Sequence, residues 1–168
     1  SNALLINENN AMAYALRGWA QGLSGDYLNG TASLKRAIEL DPNNHVPYAY
    51  IAEVYGLQYE SNTTIIGVID NAIANSIKAR DLSPNSLETH RARGYIQELV
   101  GSYGEAVQEY AAAVAINKYI PELYMRLGRV YYYPDVAEYD LAVEAFTEAD
   151  LLNPSDPLPD VYLSRVYQ

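Results

Sequence analysis

Cysteine is absent from this chain and histidine nearly so: its 168 residues hold no Cys and two His. Disulfides and thiol chemistry are therefore excluded, and His45 and His90 cannot make a His-Glu-x-x-His zinc site. Basic residues are scarce beside acidic ones, 11 against 21, for a formal net charge of −10. A chain this acidic lacks the basic stripe that a phosphate backbone requires, and it is disfavoured at an anionic membrane surface. No nucleic-acid partner and no direct membrane contact are expected. No apolar run approaches the roughly 18 residues of a membrane span. There is no Gly-rich phosphate loop and no Ca²⁺ loop of alternating Asp and Asn. Carboxylates are plentiful, but the sequence gives none of them a partner or a raised pKa. Catalytic residues, metal sites and cofactors are accordingly expected to be none.

What the chain does have is apolar content of 49% and 17 tyrosines, placed periodically. One set of residues reappears in four successive blocks, about 34 residues apart once insertions are removed. The first block carries Tyr14, Gly18, Tyr27, Leu34, Ala37 and Pro42, and the second Tyr48, Ile51, Ala52, Tyr55, Ala72, Ala79 and Pro84. The third carries Gly94, Tyr103, Ala106, Tyr110 and Ala113, and the fourth Tyr124, Leu127, Gly128, Tyr131, Ala142, Phe146, Ala149 and Pro154. Small residues at Gly18, Ala52, Gly94 and Gly128, paired with Ala37, Ala79, Ala113 and Ala149, suit positions where two helices cross closely. Tyr48 with Tyr55, and Tyr124 with Tyr131, recur at i and i+7 and so share one helix face. Asp41-Pro42, Ser83-Pro84 and Asn153-Pro154 each break one helix and offer a polar start to the next. No strand-like alternation survives over a comparable length. The fold is expected to be all-α.

These slots resemble the tetratricopeptide repeat (TPR) family across nearly the whole chain. SGDYLNG at 24–30 and GSYGEA at 101–106 look like the turn that joins the two helices of such a repeat. The resemblance implies a right-handed α-solenoid of antiparallel helix pairs, a TPR-like superhelix. The blocks then divide as repeat 1 at 11–44, repeat 2 at 45–86, repeat 3 at 87–120 and repeat 4 at 121–156. Residues 157–168 look like the first helix of a truncated repeat 5, and 4–10 like the end of a preceding repeat. Ser1-Asn2-Ala3 resembles the remnant of a cleaved expression tag. A solenoid that stops on a half repeat leaves apolar surface uncapped. The chain is therefore expected to be a segment of a larger protein, with homodimer contacts open to it through the exposed repeat ends.

The chain departs from the family pattern at several slots. Ser76 stands where an aromatic is usual, Arg17 and Arg93 replace a Leu, and Gln21 and Gln97 replace an aromatic. Lys118 replaces the third Pro, so the helices flanking it are expected to be joined differently. Repeat 2 carries an insertion near 61–68. Its Ser, Asn and Thr can cap a helix, and Ile65, Ile69, Ala72 and Ile73 keep helical spacing, so the second helix of that repeat is expected to start early.

In the family, first helices of successive repeats line a concave groove for a partner's peptide or helix. The resemblance places Trp19, Glu53, Arg91, Tyr95, Glu98, Met125, Arg129 and Tyr132 on that face, with Leu158 from the last half repeat. Tyr, Trp and Arg are favoured anchors at binding surfaces. Two readings of the charges stay open: Arg91 and Arg129 pair with Glu53, Glu88 or Glu122, or they hold carboxylates of a bound segment. The rings likewise either contact a ligand or pack against adjacent helices. The Lys and Asn clamp by which chaperone-binding members hold a C-terminal carboxylate has no counterpart here. The implied function is a non-enzymatic protein-protein interaction module with a protein or peptide partner; the alternative is a structural spacer or self-assembly segment. Localisation is open, with the cytoplasm as default and the cell envelope or export equally compatible with a cysteine-free chain.

Overall fold

The computed structural model describes residues 10–167. The expected tag remnant, the expected end of a preceding repeat up to residue 9, and Gln168 lie outside the described residues. Among those described, the regular elements are nine α-helices. They are α1 (Ala11–Leu23), α2 (Tyr27–Leu40), α3 (His45–Ser61), α4 (Val68–Leu82) and α5 (Leu87–Leu99), then α6 (Tyr103–Ile116), α7 (Pro121–Tyr132), α8 (Tyr139–Leu152) and α9 (Leu158–Val166). Two compact units share them, the first ending at Ile96 and the second beginning at Gln97.

Local sequence sets the helix ends. The side chains of Asn10, Asp26 and Asn44 accept backbone N–H groups of Ala13, Asn29 and Val46, so α1, α2 and α3 start on side-chain caps. Gly25 and Gly101 take φ of 86° and 79°, which lets the chain reverse within the short α1–α2 and α5–α6 turns. Four helices end alike: the N–H groups of Asp41, Ser83, Asn117 and Asn153 donate to the carbonyls of Ala37, Ala79, Ala113 and Ala149. Asn117 makes this cap with backbone angles close to those of the other three. The missing Pro at Lys118 therefore does not change the junction as expected, because the cap is made by the residue before it.

In the first unit, Ala15, Leu34, Ala37, Ile51 and Val54 form a closed core with Tyr14, Trp19, Tyr27 and Tyr55 packed at its edge. Close helix approach explains the small residues: a Cβ on Gly18 would lie 2.7 Å from the Gly30 carbonyl oxygen. Two departures from the family pattern are satisfied internally. Gln21 accepts a hydrogen bond from buried Ser33 at 2.8 Å, and the buried Ser76 hydroxyl donates to the Ile73 carbonyl at 2.8 Å. In the second unit Met125, Ala142, Phe146 and Ala149 form the core, and α9 covers it with Tyr162, Leu163 and Val166.

The insertion folds otherwise than its spacing suggests. It lengthens the first helix of the pair, α3, to Ser61, while α4 starts only at Val68. Asn62 is the reason: its side chain takes the Thr64 N–H and hydroxyl at 3.0 and 2.7 Å, an Asx turn that competes with helix. Gly67, in the left-handed region at φ 78°, then sets the late start.

Candidate functional site

In the first unit a polar and aromatic cluster joins α1, α3 and α5. Glu53 lies on α3 and is 7% exposed. Its carboxylate accepts Trp19 Nε1–H at 2.8 Å, Arg91 Nε–H at 2.7 Å and Arg91 Nη2–H at 3.1 Å. The fork of a guanidinium matches a carboxylate in this two-bond geometry, which makes the pair strong and directional. The rings of Trp19 and Tyr50 stack at 4.8 Å, and the Arg91 guanidinium lies 4.7 Å from the Trp19 centroid and 5.7 Å from that of Tyr50. Burial lifts the Tyr50 phenol above its ordinary pKa, with Arg91 pulling the other way. One turn further along α5, the Tyr95 hydroxyl donates to Glu60 at 2.6 Å.

The second unit has a parallel arrangement around Glu98, which is 5% exposed. Arg129 Nη2–H and the Tyr110 hydroxyl donate to its two oxygens at 2.7 and 2.9 Å, and the Tyr133 hydroxyl lies 3.4 Å away. Burial opposes the charge on Arg129 most, but Glu98, Tyr133 and Tyr162 together outweigh it and hold the guanidinium above its ordinary pKa. Tyr110 is raised well above its ordinary value, first by burial. Arg126 bonds Glu122 one turn back on α7 at 3.0 Å. Burial acts against its charge most, and Tyr110, Glu122 and Glu98 together more than offset that.

Beside this cluster a cleft of about 310 Å³ opens between α7 and α9. Met125, Leu158 and Tyr162 give it an apolar lining, and Arg126, Arg129, Glu122 and Asp156 place both signs of charge along its sides. Tyr162 is held by stacking on Phe146 at 4.9 Å. The Arg126 and Arg129 side chains are 18% and 32% exposed, and arginines next to apolar surface suit a ligand that pairs a carboxylate or carbonyl with an apolar side chain.

The residues expected on the groove fall in separate places. Trp19, Glu53 and Arg91 meet in one cluster; Glu98 and Arg129 meet in the other. Met125 and Arg129 line the cleft. Tyr95 is 3% exposed, so its ring packs against its own helices while its hydroxyl is committed to Glu60. Tyr132 lines a different hollow with Pro134, Tyr139, Arg165 and Val166, its ring edge-on to Tyr139 at 6.1 Å. Tyr50, Tyr110 and Tyr162 are additions. For Tyr162 a signal existed, since it follows Leu158 by one helical turn; for Tyr50 and Tyr110 none did, because only folding brings their rings to Trp19 and Glu98. Among the described residues no group of His, Asp or Glu side chains is arranged to hold a metal ion, and no helix is long and apolar enough to cross a membrane.

The tetratricopeptide repeat family model matches residues 11–44. No protein of curated function matches the chain by sequence. Solved structures share its fold. A thermophilic TPR protein of Thermus thermophilus superposes with a TM-score of 0.82 at 20% identity, over 99% of this chain and 86% of that one. PilF of Pseudomonas aeruginosa gives 0.75 at 21% identity, over 93% and 67%. YrrB, described as a TPR protein with an unusual peptide-binding site, gives 0.65 at 16% identity, over 99% and 80%. Residues 11–44 are thus a tetratricopeptide repeat, and the chain has the all-α helical-repeat solenoid fold of the TPR proteins.

Proposed function

We propose that the chain is a non-enzymatic interaction module, and that it holds a peptide or helix of a protein partner against the first helices of its repeats. The repeats are taken as 11–44, 45–86, 87–120 and 121–156, with a half repeat from 157. One observation carries the reading: the cleft between α7 and α9, where Met125, Leu158 and Tyr162 adjoin two arginines. Arg129 lines this cleft, gives Nη2–H to Glu98 and keeps 32% of its side chain exposed. In the first unit buried Tyr50 and the Arg91 guanidinium hold the half-buried Trp19 ring, and a fixed Trp ring is of the kind that serves as a binding anchor. Glu53 and Glu98 hold these arginines in place rather than contact the ligand, and Tyr95 supports the wall. Tyr132 borders a neighbouring hollow.

Selection of displayed peptides on the full chain, with counter-selection on a Leu158→Asp, Tyr162→Ala variant of equal helicity, tests this. Leu158 is 52% exposed and can change without opening the core. The expected result is a peptide family that binds the parent chain and loses tenfold or more affinity for the variant. Peptides that bind both equally would contradict the assignment. The second reading, a spacer or self-assembly segment, is favoured by a different fact: the buried carboxylates Glu53 and Glu98 are already answered by the chain's own arginines. Mass that rises with concentration, without any peptide ligand, would favour it.

A further inference from the structure

A second groove lies on the opposite flank of α7, between it and α8, with a volume of about 180 Å³. Tyr124, Leu127 and Tyr131 of α7 and Leu141 of α8 form its apolar surface, and Glu144 and Glu148 of α8 stand on its rim. No Lys or Arg lines it. Both glutamates are exposed, and neither has an ion pair or a side-chain hydrogen bond among the described residues. Their charges bear on the rings: Tyr124 is raised by burial and then by Glu148, and Tyr131 by burial, Glu138 and Glu144.

Two other helix pairs of the chain show one way such a place is filled, whereas the α5–α6 pair has Ala112 and His90 there. The alanine that accepts the helix-ending N–H bond marks the same register in α2, α4 and α8, as Ala37, Ala79 and Ala149. The residue before it is Arg36, Lys78 and Glu148, respectively. The fourth residue of the partnered helix is Tyr14, Tyr48 and Tyr124. Lys78 puts its ammonium 6.0 Å from the Tyr48 ring centroid, and Arg36 interacts with Tyr14 as well as with Glu39. Two pairs thus supply a cation to the tyrosine from their own second helix. In α7 and α8 the cation is replaced by Glu148, and the ring faces a carboxylate instead.

We propose that this groove binds a basic segment of a partner protein, with a Lys or Arg side chain taking over Tyr124 the place that Lys78 takes over Tyr48. A cation there gains the face of Tyr124, the charges of Glu144 and Glu148, and an apolar neighbour site on Leu127 and Leu141. The occupant is therefore a segment with a cation one helical turn from an aliphatic side chain. An acidic or purely apolar segment meets the uncompensated glutamates and is rejected. The site is separate from the cleft between α7 and α9 and shares no lining residue with it.

The test is titration of the isotope-labelled full chain with a short amidated peptide of Ala, Lys and Leu, followed by amide chemical shifts. The same peptide with Glu for Lys serves as the comparison. The Lys peptide should give saturable shifts along the Tyr124–Tyr131 and Leu141–Glu148 faces, and the Glu peptide none. Glu144→Gln with Glu148→Gln should weaken binding by about fivefold or more, as expected when a cation loses two nearby charges. Glu148→Lys, which installs the chain's own cation, should abolish it. Asp70→Lys, an exposed charge reversal in α4, should leave it unchanged. Absence of saturable shifts, equal binding of the Glu peptide, shifts confined to the α7–α9 cleft, or equal losses from Asp70→Lys and Glu148→Lys would each overturn the proposal.

Discussion

Glu53 and Glu98 show how single residues do structural and functional work together. Each is a nearly buried carboxylate whose oxygens are taken by an arginine and by an aromatic N–H or O–H donor of the same unit. Removing the carboxylate takes from a largely buried guanidinium its hydrogen-bonded counter-charge, so the loss exceeds that of an ordinary surface pair. Glu53→Ala is expected to lower unfolding stability by about 3 kcal/mol, read by urea denaturation with unchanged slope. A change below about 0.5 kcal/mol would place the pair among surface ion pairs of little consequence. Tyr110 has a pH signature. Its folded pKa lies well above its unfolded value, so the phenol stays protonated in the fold while the unfolded chain releases its proton above about pH 10. Its contribution is fully present below that pH and is lost as pH rises past it. Tyr110→Phe should therefore cost about 1–2 kcal/mol at neutral pH, through its lost bond to Glu98, and make the alkaline decline shallower. At this scale the sequence showed which residues had to be small, because Gly18 and Ala37 follow from helix crossing alone. It left the partners of Arg91 and Arg129 open, because a guanidinium on a groove face can reach several carboxylates and only packing selects one. Glu98, the partner of Arg129, was expected on the groove face and is 5% exposed.

The helices were legible wherever a cap and an apolar stripe agreed. Asp41, Ser83 and Asn153 end helices, as a polar residue before Pro predicts, and Asn10, Asp26 and Asn44 begin helices with side-chain caps that the spacing did not single out. Misjudgement fell where two local rules competed. Ile65 and Ile69 kept helical spacing through the insertion, yet the Asn62 side chain captured the Thr64 backbone and Gly67 closed the turn. Ile66, the residue that the spacing could not place, is 98% exposed there. The most consequential element is α9, only nine residues long. Such a helix is too short to persist alone and depends on the helices it packs against. In return it covers α7 and α8, with Tyr162 stacked on Phe146. Ending the chain after Asp156 is expected to expose that surface and to destabilise the second unit selectively, as nearest-neighbour coupling in repeat proteins requires. Hydrogen exchange should show α8 amides losing protection while α1 and α2 keep theirs. Equal protection of α8 with and without α9 would show that α9 is an appendage rather than a cover.

At the scale of the molecule, the fold places unlike surfaces on the two flanks of α7. One flank combines two arginines with apolar side chains and suits a segment that offers a carboxylate or carbonyls. The other combines tyrosines with unpaired glutamates and suits a cation. A net charge of −10 strengthens the second and makes encounter with basic partners faster at low salt. The repeat period was legible because small residues, tyrosines and X-Pro corners recur in register, and the family resemblance they carry implied the solenoid. Ligand chemistry was not, since the same period accommodates many surfaces and side-chain pairing decides which charges remain available. The central claim is that the α7–α9 cleft is a peptide site, and amide shift mapping of the labelled full chain with a selected peptide tests it most directly. The account predicts saturable shifts centred on Met125, Arg129, Leu158 and Tyr162, lost with Leu158→Asp and Tyr162→Ala. Shifts centred elsewhere, or unchanged in that variant, would contradict it.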